Sequence, residues 1–90
     1  MKYLKKFFES AGNVVLELTT AAENEDYQGM LFAAHSLKGL AGNVGLNSVY
    51  IPAKKIVDDI RAGEYSECGA DFNKLQTNYY HAQEIAKKYI

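Results

Sequence analysis

An all-α fold, an up-down four-helix bundle with a short additional N-terminal helix, is predicted by three observations on the sequence. Apolar residues recur at spacings of three and four along nearly the whole chain, no segment alternates with period two, and every connection between periodic stretches is short. Ninety residues without internal repeats or low-complexity tracts make a single domain over 1–90, large enough for one bundle core and one site.

Lys2 to Glu9 places Tyr3, Leu4, Phe7 and Phe8 at helical spacing, and Ser10 or Asn13 can cap a following helix. The opening is therefore read as a short helix that leads into a longer one and lies across the bundle end. Val14, Val15, Leu18, Ala21 and Ala22 carry the second helix to Glu23, and Asn24 marks its end. Asp26 supplies the negative charge that favours a helix N-terminus, so the next helix runs from there to about Val44, with Gly45 as its stop. Ser48 can start the following helix, whose apolar face is Ala53, Ile56, Val57 and Ile60; Arg61 suits its C-terminus and Gly63 ends it. Pro52 has no N–H to donate to the carbonyl four residues back, which is tolerable only in a first turn, so this helix should begin no earlier than about Ser48. Ser66 can cap the last helix, with the stripe Phe72, Leu75, Tyr79, Ala82, Ala86 and Tyr89.

Composition removes several function classes. A net charge of −1 with 23% charged residues offers no field to recruit nucleic acid or an acidic membrane surface. The single cysteine, Cys68, cannot form an internal disulfide or a thiolate metal site, and the two histidines do not make up a zinc ligand set, so no metal is expected on this chain. No unbroken apolar run follows the basic Met1–Lys6 stretch and no long apolar segment occurs, which predicts a cytoplasmic protein.

The stretch that reads as chemistry is Ala34-His35-Ser36-Leu37-Lys38-Gly39-Leu40-Ala41-Gly42-Asn43-Val44-Gly45-Leu46. On a helix, His35, Lys38, Gly39 and Gly42 share one strip, extended backward by Phe32, Leu31 and Gln28. The opposite stripe of Met30, Ala33, Ala34, Leu37, Ala41 and Val44 suits a bundle interior, so His35 should point away from the core. Each helical glycine costs roughly 0.5–1 kcal/mol relative to alanine, a loss that propensity does not explain and that close approach would. His81 differs: Glu84 lies at i+3, and no glycine is near, so it reads as structural or solvated.

From Ala34 to Leu46 the chain resembles the signature of histidine-containing phosphotransfer domains, four-helix-bundle phosphocarriers of two-component relays. The likeness rests on His35-x-x-Lys38-Gly39 followed by Gly45, and extends from about Glu9 to Ile60. It implies that His35 accepts a phosphoryl group from a receiver-domain aspartate and passes it to another, with Lys38 beside it. Gln28, Leu31, Phe32, Gly39, Gly42 and Gly45 are the expected partner-binding residues. The expected partners are response-regulator receiver domains, with a hybrid sensor histidine kinase as an alternative carrier of this module. The chain should act as a monomer with no cofactor of its own and Mg²⁺ on the receiver, since it has no Gly-rich nucleotide loop and no carboxylate pair for magnesium. Two questions stay open at this level: whether Leu31 and Phe32 are core or docking surface, and whether Gly42 and Gly45 serve packing and capping. The alternative function is a noncatalytic helical adaptor that binds through Leu31 and Phe32.

Overall fold

The computed structural model describes the backbone of residues 2–88 and the side-chain environment of residues 5–88. These residues form four helices, α1 Lys2–Glu23, α2 Tyr27–Val44, α3 Asn47–Arg61 and α4 Cys68–Ala86. Each packs on its neighbours in the order α1, α2, α3, α4 and back to α1, the closed ring of an up-down bundle. No described helix is long and apolar enough to cross a membrane.

The separate N-terminal helix is corrected: Lys2–Glu23 is one continuous helix. Phe7, Ala11, Val15, Leu18 and Ala21 keep a single buried stripe running through the stretch where Ser10 and Asn13 would have capped a new helix. Both of these residues stay exposed, so their helix penalty of about 0.5 kcal/mol each is small beside the burial on the opposite face. Nor does the opening lie across the bundle end. Phe7 and Phe8 pack edge to face with ring centroids 5.0 Å apart, and Tyr79 of α4 lies 6.4 Å and 5.7 Å from them. This aromatic seam runs α1 alongside α4.

Three helix ends share one device. After α1, Asp26 N–H donates to Ala21 and Glu25 N–H to Ala22; after α2, Leu46 donates to Ala41 and Gly45 to Gly42; after α3, Glu64 donates to Asp59 and Gly63 to Ile60. This paired capping needs a left-handed residue, which Gly45 (φ 71°) and Gly63 (φ 76°) adopt freely and Glu25 (φ 52°) adopts against its side chain. Asp26 then caps α2, its side chain accepting from Gly29 N–H at 3.0 Å.

α3 starts at Asn47, one residue earlier than expected, and Pro52 sits inside it. The carbonyl that Pro52 leaves without a donor belongs to Ser48, and Asn78 Nδ2 of α4 donates to that oxygen at 2.8 Å. α4 begins at Cys68, not after a Ser66 cap, and its N-cap Glu67 makes no side-chain cap bond. The bundle interior holds Leu18, Met30, Leu37, Ile56, Leu75 and Tyr79, all nearly or fully inaccessible. Phe72, Leu75, Tyr79 and Ala86 of the predicted α4 stripe are buried, and Ala82 is half-buried. The side chains of Tyr3, Leu4 and Tyr89 lie outside the described residues.

Candidate functional site

α2 presents its two faces as its periodicity requires. Met30, Ala33, Ala34, Leu37 and Ala41 are buried, whereas Val44, also assigned to that stripe, is half-buried. His35 lies opposite them and is exposed, with exposed Gln28 and Gly39 one or two turns away on the same strip. An imidazole in this position has solvent access and no competing role in the core.

Gly39 is open. A Cβ built there would meet nothing within 4 Å, so neither packing nor backbone conformation explains the glycine. Gly42 has a different environment, since a Cβ there would lie 3.4 Å from Cε2 of Tyr50 on α3. Its bare backbone seats that ring on the α3 flank of the strip. Gly45 takes the left-handed conformation that ends α2. Gly29 was not singled out from the sequence, although a Cβ there would stand 2.5 Å from Asp26 Oδ2 and 3.1 Å from Ala21 Cβ. The pattern Asp26-x-x-Gly29, a cap followed by a small N3 residue, is the signal that could have found it.

The flanks of the strip differ in chemistry. Toward α3, Lys38 is half-buried, and among the described residues no carboxylate comes within ion-pair distance of it. Across from it on α3, Lys54 Nζ pairs with Asp58 Oδ2 at 2.8 Å. That hydrogen bond from Lys54 holds the Asp58 carboxyl below its usual range, helped by the charges of Lys54, Lys38 and Arg61. Toward α1, the apolar side chains Leu16 and Phe32 stand exposed, at 63% and 71%, beside a shallow groove that also includes Thr20 and Ala33. Leu31 is half-buried against the core, so the pair divides, with Leu31 partly core and Phe32 surface. Leu16 was missed because one exposed leucine on a helix whose packing face lies elsewhere has no marker in sequence.

His81 is exposed on α4, with Glu84 one turn on and bonded to Lys87 at 3.2 Å. Among the described residues no group of three histidine, cysteine or acidic side chains is arranged to hold a metal ion.

The family model for the Hpt domain matches residues 2–85, from the start of α1 to the last turn of α4. Searches among curated proteins and among solved structures found no match. The family match spans all four helices and includes the His35-x-x-Lys38-Gly39 strip on the solvent face of α2: the chain belongs to the Hpt domain family.

Proposed function

We propose that this chain carries phosphoryl groups on His35, taking one from the aspartyl phosphate of a receiver domain and delivering it to the aspartate of another. The observation that carries this reading is the exposed imidazole of His35 beside the open backbone of Gly39, on the surface strip of a helix in an Hpt bundle. In the forward step, the lone pair of the unprotonated ring nitrogen forms the N–P bond while the P–O bond to the receiver aspartate breaks. The electron pair leaves with the carboxylate, and the second ring nitrogen keeps its proton. Delivery is the reverse with a second aspartate. The transition state demands that donor oxygen, phosphorus and ring nitrogen come into line, and a side chain at Gly39 would stand in that approach.

Lys38 has the role of an ammonium that favours the nearly doubly negative phosphoryl group by charge-assisted hydrogen bonding. Magnesium belongs to the receiver. Phe32 and Leu16, with Gln28 nearby, provide an apolar shoulder around the polar centre, the anatomy of a transient interface. The same shoulder supports the second reading, an adaptor that binds a partner without chemistry. The setting proposed for the chain is the cytoplasm, acting as a monomer.

The two readings separate by label. Incubated with a phosphorylated receiver domain, the wild-type chain and His35→Gln should share the same fold, and only wild type should acquire acid-labile, base-stable phosphate. His81→Gln should still accept it. Label retained on His35→Gln, or a receiver complex that forms without transfer, would overturn the phosphocarrier reading.

A further inference from the structure

α2 and α3 run antiparallel through the short Gly45-Leu46 connection, with Gly42 facing Tyr50. One turn back along α2 and one turn forward along α3 bring Lys38 level with Lys54, and the next turn brings His35 level with the turn that holds Asp58. Lys54, Asp58 and Arg61 follow one another at helical spacing on exposed α3 surface. Lys38, one turn from His35 on α2, thus lies level with the Lys54–Asp58 pair of α3, with Arg61 one turn further along, and the Asp58 carboxylate is set among these three cations. The carboxylate is engaged with Lys54 at 2.8 Å, while neither Lys38 nor Arg61 has an ion-pair partner among the described residues.

We propose that Asp58 is a built-in counter-anion for the phosphorylation site: it occupies Lys54 and offsets the field of Lys38 and Arg61, so that phosphate on His35 is held less firmly and stays transferable. This rests on His35 being the phosphoryl acceptor. Phosphohistidine brings close to two negative charges to a site that already contains one, and the two anions compete for the same cations. Asp58 also feels the charges of Lys38 and Arg61 in addition to the bond from Lys54, so the four groups share one local field. A carrier that passes phosphate in either direction needs a nearly balanced affinity, and one carboxylate among three cations supplies the balance. Asp58 is a positioning residue here, acting through the lysines.

The experiment loads the isolated chain with phosphoramidate and follows phosphohistidine by ³¹P NMR. Asp58→Asn should raise the extent of loading at fixed phosphoramidate and ammonia, and should increase the ionisation constant of the phosphohistidine by about two- to fivefold at low salt. Both effects should fade near 1 M salt, where the screening length is about 3 Å. Asp58→Glu should behave as wild type. Glu84→Gln, an equal change in net charge on α4, where Glu84 pairs with Lys87, should leave both readouts in place. If His35 takes no phosphate in the wild-type chain, the phosphocarrier reading fails and the inference with it. If His35 is loaded but Asp58→Asn and Glu84→Gln give the same values, the phosphocarrier reading stands and the role of Asp58 is refuted.

Discussion

Gly39 and Gly29 lie on the same helix, and the same substitution should stabilise at the first and not at the second. At Gly39 a methyl group meets open space, so Gly39→Ala should raise stability by up to about 1 kcal/mol through helix propensity and a more restricted unfolded chain. At Gly29 the methyl group collides with the capping carboxylate of Asp26 and crowds Ala21, and losing such a cap costs about 1 kcal/mol, which cancels the gain. Urea unfolding of the two variants checks this, and equal stabilisation would show that the Asp26 cap carries no weight. Gly39→Gln extends the contrast to function: the isolated domain should stay folded while receiver binding and transfer slow. A Gly39→Gln protein that transfers at the wild-type rate would remove the glycine from the approach path to His35. Lys38→Ala belongs to the same scale. Transfer rate or phosphohistidine lifetime should change while the melting temperature stays close to wild type, because a half-exposed lysine with no ion-pair partner among the described residues contributes little to folding. Identical kinetics at low and moderate salt would mean that Lys38 is merely solvated.

Among the elements, α3 depends on another helix for its integrity. Pro52 leaves the Ser48 carbonyl without its helical donor, and Asn78 supplies one from α4. Asn78→Ala should therefore cost about 1 kcal/mol, the usual net contribution of a hydrogen bond, and the loss should shrink in a Pro52→Ala background, where the backbone N–H returns. A double-mutant cycle on these two positions measures the coupling, and strictly additive effects would show that the bond and the proline are independent. The α1 helix shows how an element escapes local reading. Ser10 and Asn13 look like a boundary, yet Phe7, Ala11 and Val15 carry the buried stripe straight through it.

Across the whole molecule the ring of four helices encloses a continuous core, and Cys68 is sealed within it at 1% exposure. Burial pushes its thiol above the usual range, with the charges of Asp59 and Asp71 adding to the effect. Cys68 should react with a disulfide reagent at pH 8 at least about a thousandfold more slowly than in the unfolded chain, since labelling requires opening of a domain stabilised by several kcal/mol. Labelling of the native protein at the unfolded rate would place the thiol at the surface.

Legible from residue spacing and type alone are the helical class, the buried face of α2, the outward direction of His35 and the glycine stops after α2 and α3. Each follows from local periodicity or from a backbone conformation that one residue type adopts freely. Four matters are left to the tertiary structure. The continuity of α1 depends on Tyr79 and the rest of the core accepting Phe7 and Ala11. The division of Leu31 from Phe32 depends on which neighbour covers each flank of α2. The tolerance of Pro52 depends on the Asn78 amide, thirty residues along the chain from the Ser48 carbonyl it serves. The placement of the Lys54–Asp58 pair, itself local to α3, within the field of Lys38 depends on the register between α2 and α3. Contacts between distant segments are set by how helices dock, and the spacing of residues within any one helix carries no record of it.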